Sequence, residues 1–118
     1  MDSVKILVVD DDELILEMLV YNLKKEGFDV LTAVDGNLAL IKAKEFKPDL
    51  ILLDVMMPGI DGIEVCQELR AQPENVNTLI VFSSARGEDF TQLSAYSAGA
   101  DDYFIKPIKP KILISKIK

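Results

Sequence analysis

Apolar residues along this chain come in two alternating rhythms. Val4 to Val9 is a β-branched run broken only by Lys5, and it ends at Asp10-Asp11-Asp12. A short apolar run bounded by polar residues is the pattern of a strand buried on both faces. From Glu13 the period lengthens. Leu14, Met18 and Tyr21, with Ile15, Leu19 and Leu23 adjoining, predict the inward face of a helix, with Glu17, Lys24 and Lys25 outside. Asp12 suits the N-cap of that helix and Gly27 its C-terminal stop. Phe28 to Ala33 reads as a second strand, Asp35-Gly36 as a turn, and Asn37 to Phe46 as a second helix with Leu38, Ile41 and Ala43 inward. Lys47-Pro48-Asp49 breaks it before a third strand, Leu50 to Leu53. Asp61-Gly62 opens a third helix with Ile63, Cys66 and Leu69 on one face. Thr78 to Phe82 is a fourth strand, and Glu88 to Ala98 a weaker fourth helix whose Leu93, Tyr96 and Ser97 form a narrow stripe. Asp102 to Ile105 is a fifth strand, and Lys111 to Lys118 a last helix with Pro110 near its first turn.

Strand and helix thus alternate five times, without repeat, low-complexity segment or internal linker. The expectation is one α/β domain over residues 1–118: a doubly wound, five-stranded parallel sheet with right-handed crossovers. The last helix stops without a C-cap signal, so a longer protein with a further domain beyond it is expected. The net charge of −7 argues against a basic nucleic-acid surface within these residues. The single cysteine, Cys66, cannot form an internal disulfide and reads as a small buried hydrophobe, which fits a reducing, cytoplasmic setting. No apolar run approaches the ~18 residues that a membrane span needs. With no histidine in the chain, a histidine catalyst, ligand or phospho-acceptor is excluded.

The strand ends carry the chemistry. In a parallel sheet the carboxyl ends share one edge, and ligands bind just outside it. That edge would gather Asp10 and Asp11, Asp54, Ser84 and Lys106. Crowded carboxylates repel unless a cation intervenes. An all-oxygen set without His or Cys suits Mg²⁺. With Lys106 and Ser84 alongside, such a cleft could hold a phosphoryl group, whose transfer needs mainly positioning and charge stabilisation. A carboxylate can itself be the nucleophile. Plainer readings stand beside these. Asp54 could cap a turn, Asp10 and Asp11 could start a helix, Ser84 could serve a turn, Lys106 could be a solvated lysine and Tyr103 static core.

Four motifs resemble one family together. They are Lys5-Ile6-Leu7-Val8-Val9-Asp10-Asp11-Asp12, Leu53-Asp54-Val55-Met56-Met57-Pro58-Gly59-Ile60-Asp61-Gly62, Ser83-Ser84-Ala85, and Gly99-Ala100-Asp101-Asp102-Tyr103-Phe104-Ile105-Lys106-Pro107. The pattern is similar to the receiver domain of bacterial two-component response regulators, over essentially the whole chain. The resemblance implies a flavodoxin-like (βα)5 fold with strand order 2-1-3-4-5. It implies that Asp54 is phosphorylated by a histidine kinase or phosphotransfer protein. Mg²⁺ would be held by Asp10, Asp11, Asp54 and the Met56 backbone carbonyl, with Asp12 left as a helix cap. Lys106 and Ser84 would meet the phosphoryl group, Lys106-Pro107 would be cis, and Tyr103 would move with Ser84 as a switch. Met56 and Arg86, two places beyond Asp54 and Ser84, would tune access of hydrolytic water.

Gly99-Ala100-Asp101-Asp102-Tyr103, followed by Ile112-Leu113-Ile114-Ser115-Lys116-Ile117-Lys118, also resembles the OmpR/PhoB-type transcription factors. These pair acidic and basic residues across a homodimer formed by the fourth helix, fifth strand and fifth helix. Asp101 and Lys116 are the candidates here, with Lys116 where arginine is more usual. DNA would be bound only through a C-terminal domain outside this chain, and no turnover enzyme is expected. Three rivals differ by specific features. A haloacid-dehalogenase-type phosphatase needs a second Asp two places after the nucleophile, where Met56 stands. A flavodoxin-like cofactor module needs a phosphate loop where Asp10-Asp11-Asp12 would repel phosphate. A stand-alone receiver, or one fused to a kinase or cyclase, would act through protein contacts alone.

Overall fold

A computed structural model describes residues 3–84 and 92–117. Among these residues the strands are β1 (Lys5–Val9), β2 (Asp29–Ala33), β3 (Leu50–Asp54), β4 (Leu79–Ser84) and β5 (Asp102–Ile105). The helices are α1 (Glu13–Lys25), α2 (Gly36–Phe46), α3 (Gly62–Arg70), α4 (Gln92–Ser97) and α5 (Pro110–Ile117), with a 3-10 turn at Pro73–Asn75. All strand pairs are parallel, and the order is β2-β1-β3-β4-β5. This is the doubly wound sheet expected from the alternation, in the order the resemblance implied. The expected start of the fourth helix, from Glu88, lies outside the described residues, as do Arg86 and the side chain of Leu93.

Alternation along the strands splits the core in two. Leu7, Val9, Ile51, Leu53, Ile80 and Phe82 face α2, α3 and α4. Ile6, Val8, Leu50, Leu52 and Val81 face α1 and α5. The central strands β1 and β3 are therefore apolar on both sides, which is why they read as unbroken runs. Asp12 caps α1 as expected, accepting from the Leu14 and Ile15 backbone N–H groups at 3.0 and 3.4 Å. Gly27 closes its end at φ +92°, a conformation that side chains resist.

Leu19 and Leu23 of α1 and Ala43 of α2 are buried as expected, but the inward faces of three helices otherwise differ from expectation. Helix α1 buries Leu16, Leu19 and Leu23, while Leu14 and Tyr21 are 76% and 67% exposed and Met18 is also exposed. Two apolar stripes run along this helix, and only one of them can meet Ile6 and Val8 of the sheet. Helix α2 buries Ala39 and Ala43, leaving Leu38 and Ile41 exposed. Its start lies so close to α3 and the loop before it that a Cβ on Gly36 would collide with Val65 and Ile60, so small residues face inward. Helix α4 likewise buries Ala95, with Ala98 buried just past its end, and exposes Tyr96 and Ser97. On α3 the expected Cys66 and Leu69 are buried, joined by Val65.

Candidate functional site

The carboxyl edge of the sheet is built by strand ends of unequal reach. Asp54 is the last residue of β3, delivered by four buried residues and itself buried. Asp10 follows β1 directly and is buried as well. Its backbone N–H extends the β1–β2 ladder by donating to the Ala33 carbonyl at 3.1 Å. Its carboxylate accepts from the Asp12 N–H at 2.9 Å, which fixes the acid at the mouth of the turn. Asp11 is exposed beside it. Asp10, Asp11 and Asp54 each offer a carboxylate oxygen, and these atoms lie within 4.8 Å of one another.

Lys106 enters from the end of β5. Its backbone N–H donates to the Ser84 carbonyl at 2.7 Å, and the Lys106–Pro107 bond is cis, as the resemblance implied. Its Nζ stands 3.0 Å from Asp10 Oδ2 and donates to Asp54 Oδ1 at 3.1 Å. Burial alone would lower the Lys106 pKa, but its hydrogen bonds to Asp10 and Asp54 raise it overall. Asp54 moves from 3.8 up to about 6, first by burial and then by the charge of Asp10, with Lys106 pulling the other way. Of the three clustered carboxylates, Asp10 and Asp54 pair with Lys106 and Asp11 does not, so positive charge is in deficit. An all-oxygen cluster of this kind is compatible with a hard metal ion.

The loop after Asp54 is pinned from behind. Asp61 caps α3 by accepting from the Glu64 N–H at 3.0 Å, and the Gly62 N–H donates to the Val55 carbonyl at 2.9 Å. A Cβ on Gly62 would run into the Asp54 carbonyl oxygen, so only glycine allows α3 to start this close to the acid. The Met56 side chain is exposed.

Ser84 ends β4 fully buried, and its hydroxyl lies 2.7 Å from the Tyr103 hydroxyl. The structure therefore brings Asp10, Asp11, Asp54 and Lys106 together and links Ser84 to Tyr103 alongside them. Asp101 and Lys116 both have partners within the chain. Asp101 Oδ2 lies 2.6 Å from Arg70 Nη2, and Lys116 Nζ lies 3.3 Å from Asp102 Oδ2. Arg70 and Ser83 were not singled out by sequence. Strand alternation was the one signal for Ser83, and Arg70 had none.

The family model of the response regulator receiver domain matches residues 6–118. This chain belongs to that family. Over 114 residues the receiver is 49% identical to the alkaline phosphatase synthesis transcriptional regulatory protein PhoP of Bacillus subtilis, covering 97% of this chain and 47% of that protein. It is 43% identical to the phosphate regulon transcriptional regulatory protein PhoB of Rhizobium meliloti, covering 97% of this chain and 50% of that one. The chain thus spans about half the length of these relatives, and the OmpR/PhoB-type resemblance holds. Among solved structures, the chemotaxis protein CheY4 of Vibrio cholerae superposes at a TM-score of 0.91 with 31% identity, over 98% of this receiver and 97% of that chain. No described helix is long and apolar enough to cross a membrane.

Proposed function

We propose that this receiver accepts a phosphoryl group on Asp54 and passes the signal to a domain outside these residues. The observation that carries the proposal is the cluster itself, with three convergent carboxylates and Lys106 within 3.1 Å of the acceptor. Asp10, Asp11, Asp54 and the Met56 carbonyl would hold Mg²⁺, which when bound offsets the charge of the phosphoryl oxygens. Asp54 attacks phosphorus, forming the O–P bond of an acyl phosphate. The bond from phosphorus to the donor breaks, and its electron pair leaves with the donor nitrogen of a histidine kinase or phosphotransfer protein. Lys106 neutralises a phosphoryl oxygen that Asp54 alone would repel.

Ser84 would then exchange its Tyr103 partner for the phosphoryl group, and Tyr103 would repack. Phosphorylation so biases an existing equilibrium of the face formed by α4, β5 and α5. On that face two copies would pair, with Asp101 and Lys116 among the charges available. The relatives are named as transcriptional regulators, which favours a DNA-binding output domain and a cytoplasmic setting. The chain serves as a stoichiometric switch and not as a turnover enzyme.

The test is incubation with acetyl phosphate and Mg²⁺, read by intact mass. A single phosphoryl adduct that requires Mg²⁺ and is lost in Asp54→Asn is the expected result. Mg²⁺ binding without an adduct, even with a cognate kinase supplied, would overturn Asp54 as the acceptor.

A further inference from the structure

Beneath the acidic cluster lies a space whose walls, apart from Asp10 and Lys106, belong to residues without a role in the phosphoryl chemistry. A pocket of about 250 Å³ sits between α1 and the segment after β5. Its walls include Leu19, Leu52 and Ile108, all buried. Met18 and Pro107, both exposed, also line it, which places the mouth on the surface beside α1. Three side chains with polar groups border it: Asp10, Lys106 and Ser83.

Asp10 and Lys106 already satisfy each other at 3.0 Å. Ser83 does not share in that pairing. It is only 3% exposed, and the alternation of β4 turns it toward the α1–α5 layer, away from the side that Ser84 faces. Among the described residues its hydroxyl has no hydrogen-bond partner, while its carbonyl is taken by the Val55 N–H at 3.0 Å. A buried hydroxyl without a hydrogen bond is destabilising, so this one is built to meet a partner. Water alone fills such a space poorly. Each molecule occupies ~30 Å³ and needs two to four polar contacts, which aliphatic walls do not supply.

We propose that this pocket binds a small neutral amphiphile, with a compact apolar body against Leu19, Leu52 and Ile108 and a hydroxyl or carbonyl head bonded to Ser83. The head is neutral because the only charged groups bordering the pocket among the described residues, Asp10 and Lys106, are already engaged with each other and, for Lys106, with Asp54, so a charged head would lose hydration without gaining a free counter-ion. A bound molecule would lie against both residues. By linkage it would change cation affinity at the acidic cluster, and the cation would change its own affinity equally. The site does not depend on the phosphoryl reading, because its walls and its hydroxyl stand whatever Asp54 accepts.

Methyl NMR on the full chain tests this, with benzyl alcohol as the probe and toluene as its hydroxyl-free counterpart. Saturable shifts of the Leu19, Leu52 and Ile108 methyls are expected with both probes. Ser83→Ala should weaken benzyl alcohol about five-fold and leave toluene unchanged, the signature of one hydrogen bond. Ser83→Leu should fill the space and abolish both, with the native amide spectrum showing that the fold is kept. If that variant does not fold, the contrast between the two probes in Ser83→Ala decides alone. Non-saturable shifts in the wild type, equal probe affinities in Ser83→Ala and wild type, or bound water that neither probe displaces would each overturn the proposal. Neither probe reports on phosphorylation, so failure of the Asp54 chemistry would leave these readings intact.

Discussion

The two ends of the sheet handle charge in opposite ways. At the carboxyl end, three carboxylates cluster with one ammonium that pairs with two of them, and Asp54 is held up at about 6. At the amino end, Arg70 of α3 gathers the chain around a matched pair. Its Nε donates to the Gly99 carbonyl at 2.8 Å, and its Nη1 to the Thr78 and Asn75 carbonyls at 2.7 and 2.9 Å. Its Nη2 meets Asp101 at 2.6 Å, and the same Asp101 oxygen accepts from the Ile80 N–H at 2.9 Å. One guanidinium thus joins the end of α3, the approach to β4 and the turn before β5. The amino end is closed and balanced, and the carboxyl end is left short of positive charge. A fold can carry that imbalance where function requires it, because the opposite end supplies order.

The sharpest way to break the contrast is at the open end. Asp54→Asn removes the nucleophile, so the phosphoryl adduct should vanish entirely by intact mass while Mg²⁺-free circular dichroism stays native. At the closed end the opposite pattern is expected. Arg70→Ala should cost about 3–4 kcal/mol in urea denaturation, because several backbone carbonyls and a carboxylate lose one shared donor. The adduct yield of its folded fraction should be unchanged. A stability loss below about 1 kcal/mol would mean that Arg70 is a solvated surface residue with no structural role.

How far each end was legible follows from the same difference. Asp10 and Asp54 stand at the ends of strands that read as apolar runs, and Lys106 follows the short Tyr103-Phe104-Ile105 run of β5, so the parallel fold alone placed them on one edge. The closed end was not readable, because Arg70 and Asp101 are 31 residues apart and no periodicity links them. Fourth-strand length was misjudged by two residues at its end. Ser83 and Ser84 look like loop residues, yet hydrogen bonding to β3 and β5 carries the strand through them. The helix faces failed where two apolar stripes competed, as on α1, or where close approach selected alanine over leucine, as on α2. Periodicity reports that a stripe is apolar, and packing decides which stripe is inside.

The charge imbalance at the open end also predicts a pH effect. In the metal-free protein Asp54 has a folded pKa of about 6 against an unfolded 3.8. A raised pKa means that its contribution is fully present below the unfolded value and is lost as pH rises through the folded one. Ionising Asp54 should therefore remove at most about 3 kcal/mol between those limits. Other carboxylates titrate nearby, so the readout is the difference between wild type and Asp54→Asn in urea midpoint. Asp54→Asn should become the more stable of the two as pH rises from ~4 to ~7, and Mg²⁺ should close the gap for the wild type. A difference that stays flat with pH would show that Lys106 already neutralises the acid.

The smallest effect is expected at Lys116. Its 3.3 Å pair with Asp102 is open to water, with the two side chains 56% and 34% exposed, unlike the Arg70 pair held among backbone carbonyls. Solvent screens such a pair, so Lys116→Ala should shift stability by less than about 1 kcal/mol. That weakness matters for the dimer face. An ammonium held so loosely can leave Asp102 for an acid on a second copy at little cost, whereas Asp101 would first have to give up Arg70 and the Ile80 N–H. Of the two charges considered for that face, Lys116 is thus the one free to move. Lys116→Ala should accordingly weaken association of the phosphorylated chain, read by sedimentation, while barely moving its urea midpoint. A large midpoint shift would show that the pair is structural and place Lys116 with the closed end.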